Sequence, residues 1–308
     1  MTRIVGTPRP LDRALREWEP TGVPLGVPDD AWQALAGVGS CVVVTGAGVS
    51  TDSGVPDYRG RGAQRGTPMQ LADFVSSETN RRRYWARGYQ GWAAMGVAAP
   101  NRGHAAIAAW EDAGWPCELT GLITQNVDGL HLQAGSHRVV ELHGSIHDVR
   151  CLDCDEVTSR QLMQDRMALA NPHVRTVTWR GHPELRPDGD AVVDDWHDFV
   201  VPACESCGGV LKPDVVFFGE TVPRSRVERA RDWVERTEAV LVAGSSLSVM
   251  SGLRFVRQAA ARGLPIIIIN HGATRGDDLA SVRLDGSVSN LLEGLVGAGT
   301  PRHGAGGR

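Results

Sequence analysis

The sequence predicts an α/β fold: a doubly wound, parallel, Rossmann-like sheet with a smaller module formed by two insertions. Three observations carry this. Short, fully apolar runs rich in β-branched residues recur along the chain, each followed by glycine or polar residues, as buried parallel strands feeding loops require. Helical patterns long enough to cross back over a sheet separate the last of these runs. Two long gaps, 61–100 and 148–209, interrupt the alternation with compositions of their own.

Residues 1–35 are expected to form an N-terminal extension, because Pro8, Pro10, Pro20, Pro24 and Pro28 surround a charged helical patch at 11–19, and such a segment packs loosely on a body. The first strand is expected at 41–45, with Gly46-Ala47-Gly48 at its end. Comparable runs place further strands at 119–124, 215–218, 239–243 and 265–270, with helices over 224–237 and 253–262. The main layer then comprises 36–60, 101–147 and 210–298. The small module comprises 61–100, with a helical stretch around 74–92, and 148–209; residues 299–308 form a Gly-rich flexible tail.

The chain has 308 residues, 42% hydrophobic and 22% charged, with a net charge of −4. This balance excludes collagen-like, mucin-like and largely disordered chains and disfavours a basic nucleic-acid binder. No run approaches the roughly 18 apolar residues of a membrane span, and the first twenty residues lack the apolar stretch of a secretory signal. A cytoplasmic protein is expected, with no membrane or nucleic-acid partner and a monomeric state favoured. Lys212 is the only lysine, beside abundant arginine.

Glycines directly after a buried strand let a backbone approach a ligand and aim N–H groups at phosphate oxygens. Gly46, Ala47, Gly48 and Ser50 have that placement, although Thr51 stands where a dinucleotide fingerprint has its third glycine. A tight turn without ligand is the alternative. The loop Ser53-Gly54-Val55-Pro56-Asp57-Tyr58-Arg59-Gly60 follows, and its guanidinium can neutralise phosphate. The segment Thr124-Gln125-Asn126-Val127-Asp128-Gly129-Leu130-His131 leaves the second strand at the sheet edge where open α/β proteins bind ligands. Asp128 and neighbouring N–H groups can hold a carboxamide such as nicotinamide; a turn cap is the alternative. His143, in Glu141-Leu142-His143-Gly144-Ser145, is expected to accept a proton near neutral pH with little tuning.

Cys151, Cys154, Cys204 and Cys207 form two C-x2-C pairs separated by 49 residues. Four thiolates saturate zinc, so the expected site is structural; a redox pair is the alternative. Cys41 and Cys117 are expected to be packing residues. Lys212-Pro213-Asp214-Val215-Val216-Phe217-Phe218-Gly219-Glu220 reads as an extended run, Gly244-Ser245-Ser246-Leu247-Ser248-Val249 places hydroxyls after a strand, and Asn270 ends another. Five strand ends are thus expected to meet at one polar crevice.

These residues carry a family resemblance. GAGVSTDSGVPDYRG at 46–60, TQNVDGLH at 124–131, HGS at 143–145, both cysteine pairs, KPDVVFFGE at 212–220, GSSLSV at 244–249 and IINHGATRGDD at 268–278 resemble, in this order, the sirtuins, NAD-dependent protein lysine deacylases. Tyr58, RRRYWARG at 81–88, PDGD at 187–190 and GATRGDD at 272–278 are most similar to class II, the group of the mitochondrial sirtuin four of animals.

The resemblance implies that the acyl-lysine carbonyl oxygen attacks the ribose carbon bearing nicotinamide. His143 then acts as general base on the ribose hydroxyls, and the acyl group passes to ADP-ribose. Asn126 and Asp128 join His143 as catalytic residues. Asp128 and Val55 line the nicotinamide pocket, and Asn126 and Gln125 position ribose and water. Gly46, Ala47, Ser50, Arg59, Ser245 and Ser246 hold phosphates, and Asn270 holds the adenosine ribose. Gly48, Pro56, Asp57, Tyr58, Gly244, His271 and Gly272 complete the NAD site, and one structural zinc is bound per chain. An acyl-lysine peptide adds as a strand between Phe218-Gly219-Glu220 and Ser248-Val249, with Val216 and Phe217 walling the acyl tunnel.

Tyr84 and Arg87, three apart on an expected helix, share a face. They correspond to a Tyr-x-x-Arg pair that reads acidic acyl groups in some sirtuins, so larger or carboxylated acyl groups are expected over acetyl. Arg87 on a solvated face with Tyr84 in the core is the alternative. Protein mono-ADP-ribosyl transfer and a catalytically silent NAD-sensing or zinc-scaffold module remain the competing functions. A hydride-transferring dehydrogenase is disfavoured by the missing third glycine.

Overall fold

The computed structural model describes residues 22–57, 68–174 and 196–297, without the side chains of residues 93 and 94. Six strands form a parallel sheet: β1 (Ser40–Thr45), β2 (Glu118–Thr124), β3 (Val139–Glu141), β7 (Ala239–Ala243), β8 (Ile266–Asn270) and β9 (Val282–Asp285). They are ordered β3-β2-β1-β7-β8-β9, and every neighbouring pair is parallel. The connection from β1 leads outward to one side and that from β7 to the other, so the order reverses between β1 and β7. That is the switch point where doubly wound sheets take their ligands.

The apolar runs are continuous because both faces of this sheet are covered. Cys41, Val43, Leu241, Ile267 and Ile269 point into one core, packed by α1 (Pro28–Ala36), α4 (Arg102–Ala113) and α9 (Val288–Gly297). Val42, Val44, Val240, Val242, Ile266 and Ile268 point into the other, under α7 (Arg224–Arg236) and α8 (Met250–Ala261).

Three of the expected elements change. Helix α1 is not part of a loose extension, since Ala31 and Leu35 are fully buried in the first core. Its start is set by Pro28 at the first turn and by Asp30, whose carboxylate accepts from the Val27 N–H at 2.8 Å. The strand expected at 215–218 is β6 (Leu211–Val215), and it pairs with β4 (Gly144–Cys151) in a separate antiparallel sheet ordered β5-β4-β6, with β5 at Val157–Ser159. Only four of the five expected strand ends therefore belong to the parallel sheet. The helical stretch around 74–92 is two helices, α2 (Leu71–Ser76) and α3 (Glu78–Met95), parted at Ser77, whose hydroxyl caps α3 by accepting from the Asn80 N–H.

The antiparallel sheet, α2, α3 and α6 (Arg160–Ala170) enclose a third core of Phe74, Tyr84, Trp85, Met163, Met167 and Phe217, among others. The short helix α5 (Leu130–Gln133) follows β2. The 11–19 patch, Tyr58, Arg59, the PDGD segment at 187–190 and the 299–308 tail lie outside the described residues. Among the described residues no helix is long and apolar enough to cross a membrane.

Candidate active site

At the switch point the loops after β1 and β7 cross almost in contact. The Gly48 N–H donates to the Gly244 carbonyl at 2.8 Å. A Cβ on Gly48 would lie 2.9 Å from Gly244 Cα, and one on Gly244, whose φ is +64°, would lie 2.4 Å from the Val49 nitrogen. Side chains here would push the loops apart, which is why both carry glycine. The crossing gathers Gly46, Ala47, Gly48, Ser245 and Ser246 beyond the C-terminal ends of β1 and β7. In the second loop Leu247 has φ +54°, a costly conformation for leucine. It is held by burial of the side chain and by its N–H donating to Ser245 Oγ at 3.2 Å.

Behind this edge a buried polar cluster centres on Ser50. Ser50 Oγ donates to Asp128 Oδ2 at 2.7 Å and accepts from Asn126 Nδ2 at 3.0 Å. Asp128 Oδ1 accepts from the Leu130 N–H at 3.0 Å, and Asn126 is fixed by its N–H donating to Thr124 Oγ1 at 3.1 Å. The Ser50 proton being committed to Asp128, the longer 3.4 Å contact to His104 Nε2 requires that the imidazole be the donor. The opposite nitrogen, Nδ1, accordingly accepts from the Asn101 N–H at 3.2 Å. His104 packs against His131 at a ring distance of 4.7 Å, and His131 Nε2 reaches Thr45 Oγ1 at 3.0 Å. Burial pushes His104 down to about 4 despite the charge of Asp128, and pushes His131 well below its usual range, so both rings are neutral members of the scaffold.

His143 stands across the crevice on the segment joining β3 and β4. A carbonyl only accepts, so Nδ1 carries the proton it donates to Gln125 O at 2.8 Å. Nε2 is then the basic nitrogen, and it accepts from Ser251 Oγ at 2.8 Å. The expectation of an ordinary titration does not hold. Burial pushes the imidazole down to about 4; the bond to Gln125 opposes this, and the charges of Arg226 and Arg254 reinforce it. Two residues earlier, Glu141 is pushed up to about 7, chiefly by burial and then by Asp148 and Asp128, with Arg226 opposing. Ser251, His104, Arg226 and Glu141 had no signal in spacing or periodicity. Each acts only through a tertiary neighbour.

Gln125 joins the two walls: its Nε2 donates to Ser245 Oγ at 2.7 Å and to Thr45 O at 3.2 Å. Ser246 and Ser248 hydroxyls lie 3.0 Å apart. Asn270 turns back on its own loop, Nδ2 donating to His271 O and Gly272 O at 3.1 and 3.0 Å. Val55 is buried with Leu130 and Ile146 in the third core, while Pro56 and Asp57 are half-buried at the edge of the described loop.

The segment after β6 bridges two cores, Val216 packing toward the parallel sheet and Phe217 toward the small module. Lys212, buried, donates to Glu220 Oε2 at 3.2 Å, and the same oxygen accepts from the Phe217 N–H at 2.8 Å. This closes Phe217, Phe218, Gly219 and Glu220 into a fixed turn. Tyr84 lies against Phe217 at a ring distance of 5.1 Å, and Arg87 is half-buried on the same helix. Across the small module the Cys151 and Cys207 sulfurs are 3.5 Å apart and those of Cys154 and Cys204 3.8 Å, with all four within 4.8 Å of one another. Tetrahedral zinc at about 2.3 Å from each sulfur sets the sulfurs about 3.8 Å apart, so the thiols fit one zinc ion.

A profile of the Sir2 family matches residues 46–251. The chain is 50% identical over 278 residues to the NAD-dependent protein deacetylase 1 of Streptomyces coelicolor, covering 88% of this chain and 91% of that protein. It is 47% identical over 259 residues to the bovine mitochondrial NAD-dependent protein lipoamidase sirtuin-4, covering 82% and 80%. Among solved structures it superposes on a Sir2–p53 peptide–NAD+ complex with a TM-score of 0.70 and 27% identity, covering 89% of this chain and 99% of that one.

Proposed function

Because this chain belongs to the Sir2 family and is an NAD-dependent protein lysine deacylase, we propose that Asn126, Asp128 and His143 form its reaction centre. NAD is the co-substrate, acyl-lysine proteins are the substrates, and the four-cysteine cluster suits a structural zinc. The observation that carries the assignment is the convergence of the Asp128 carboxylate and the Asn126 amide on Ser50, with His143 bonded through Nδ1 to the carbonyl of Gln125, the residue before Asn126.

Bound there, NAD supplies a ribose carbon from which nicotinamide can depart. Every other contribution comes from the chain. Asp128 presents an acceptor to the carboxamide, beside Val55. Asn126 and Gln125 orient ribose and water, and the glycine crossing with Ser50, Ser245, Ser246 and Arg59 receives the phosphates. Asn270, His271 and Gly272 hold the adenosine side, and Pro56, Asp57 and Tyr58 complete the NAD site. His143, its Nδ1 proton held by Gln125, takes the ribose hydroxyl proton at Nε2, where the ribose hydroxyl displaces Ser251 Oγ as donor. The peptide adds as a strand between Phe218-Gly219-Glu220 and Ser248-Val249, and Val216 and Phe217 wall the acyl group. Tyr84, set against Phe217, and Arg87 read a distal carboxylate, which favours succinyl or glutaryl over acetyl. We place the enzyme in the cytoplasm as a monomer.

Mass spectrometry of products from acetyl-, succinyl- and glutaryl-lysine peptides tests this reading. Nicotinamide and O-acyl-ADP-ribose should appear in equal amounts, and His143→Ala should lose roughly 10²- to 10⁴-fold in rate. ADP-ribose fixed to protein instead would select the transferase reading, and unchanged turnover in the variant would remove His143 from the mechanism. Fastest turnover of acetyl-lysine, unaltered by Arg87→Ala, would discard the acidic acyl preference.

A further inference from the structure

The turn that carries Asp128 is tied to β4 by two hydrogen bonds. The Ile146 N–H donates to Val127 O at 2.9 Å. One residue on, His147 Nε2 lies 2.9 Å from Asp128 O, and since a carbonyl only accepts, the ring nitrogen is the donor. The His147 N–H itself donates to Ser145 Oγ at 3.1 Å, which fixes the strand at that point. Gly129 completes the fit: a Cβ there would approach the His147 ring to 3.0 Å. Because Asp128 Oδ1 also takes the Leu130 N–H across the same turn, holding the Asp128 carbonyl holds the carboxylate.

The other side of the His147 ring belongs to the small module. Trp92 of α3 meets it edge-on, at a ring distance of 5.3 Å and 71° between planes. Trp92 is held in turn by the Arg160 guanidinium of α6, 5.0 Å from its ring and 4.9 Å from that of Trp85. Arg160 also donates to Gly88 O at 2.7 Å. A continuous line of contacts thus runs from α6 through α3 to the backbone of Asp128.

We propose that His147 is a positioning residue through which the small module fixes the Asp128 turn, so that nicotinamide affinity depends on the seating of helix α3. This rests on the assignment of Asp128 to the nicotinamide pocket. Inhibition by added nicotinamide and the NAD KM report on the turn, whereas the acyl-peptide KM does not touch it.

The test is steady-state kinetics of the full-length enzyme, with unfolding midpoints read alongside, for His147→Leu, His147→Gln, His147→Asn and Asp128→Asn. Losing one hydrogen bond that orients a polar turn should raise the nicotinamide inhibition constant and the NAD KM by about ten-fold in His147→Leu, with the peptide KM within about two-fold. Glutamine places its amide nitrogen near the position of Nε2, and should restore both constants to within about three-fold. Asparagine is too short to reach and should behave as leucine does; this pair decides the matter if the leucine variant fails to fold. Equal constants for glutamine and asparagine, or wild-type constants in His147→Leu, would overturn the proposal. If Asp128→Asn abolishes nicotinamide release while the His147 variants change nothing, the linkage alone fails. If Asp128→Asn is also silent, the site assignment fails with it.

Discussion

In the parallel sheet, β1, β7 and β8 present valine, leucine and isoleucine alternately to two dry cores, and the polar groups gather where the strands end. In the small module a charge enters the apolar interior: Arg160, 4% exposed, lies between Trp85 and Trp92, and four thiols cluster beside the core. The first region is held by burial of apolar area, which needs no partner. The second packs its apolar side chains over a three-stranded sheet, around one sandwiched cation and beside four thiols placed to hold a zinc ion. The segment 139–151, which carries His143, runs from the first region into the second.

The largest effect expected from this contrast comes from the thiols. Removing zinc with a chelator, or Cys204→Ser at a buried ligand, should abolish deacylation, since structural zinc contributes of order 10 kcal/mol to small metal modules. The parallel sheet should persist, and circular dichroism should keep most of its helical signal. A single transition that melts all helices on chelation would show the two regions to be one cooperative unit.

The same contrast explains what could be read from the sequence. Strands β1, β2, β7 and β8 were legible because burial on both faces leaves an unbroken apolar run. Strand β4 was not, because its pairing with β6 shifts register between Gly144 and Val149, and a bulge destroys the two-residue period. Strand β6 lies earlier than the apolar run suggests for a related reason: Lys212 and Asp214 interrupt the hydrophobic pattern of a strand whose residues are nonetheless mostly buried, and the apolar 216–218 stretch that follows lies beyond the strand. Motif residues of the crevice were visible through the glycine and asparagine-aspartate spacing. The residues that hold them, His104, His147, Ser251 and Arg160, lie between 19 and 108 positions from the partners they touch, and no local pattern marks them. The zinc ligands needed no tertiary information, since a repeated C-x2-C is itself the site.

A smaller effect should follow from Arg160→Met, which keeps the bulk between the two indoles while removing the charge and the donor. The Gly88 carbonyl and Gln164 lose their partner, and one buried acceptor left unsatisfied costs about 1–3 kcal/mol. Urea unfolding should show that loss, with nicotinamide inhibition weakened in the same direction as in the His147 variants. An Arg160→Met enzyme as stable as wild type would mean that the cation is a tolerated passenger in an apolar module, as isosteric replacement of buried charges sometimes reveals.

The smallest change at neutral pH, and the sharpest statement about the crevice, concerns its acid limb. A histidine at its ordinary value near 6.5 would be only about 3% neutral at pH 5, and kcat/KM would fall about thirty-fold below its plateau. With His143 pushed down to about 4, about nine-tenths remains neutral at pH 5, and the limb should appear near pH 4. The imidazole is depressed on folding, so its contribution to stability is present above about 6.5 and is lost as pH falls through about 4. Glu141 has the opposite sign: raised to about 7, it favours the folded state below about 4.5 and that favour is lost as pH rises through about 7. Glu141→Gln should therefore flatten stability between pH 5 and 8 and leave the His143 limb in place. A limb near 6.5 in both enzymes would show that water reaches His143 as freely as it reaches the surface, and the crevice would then lose the dry character that separates it from its surroundings.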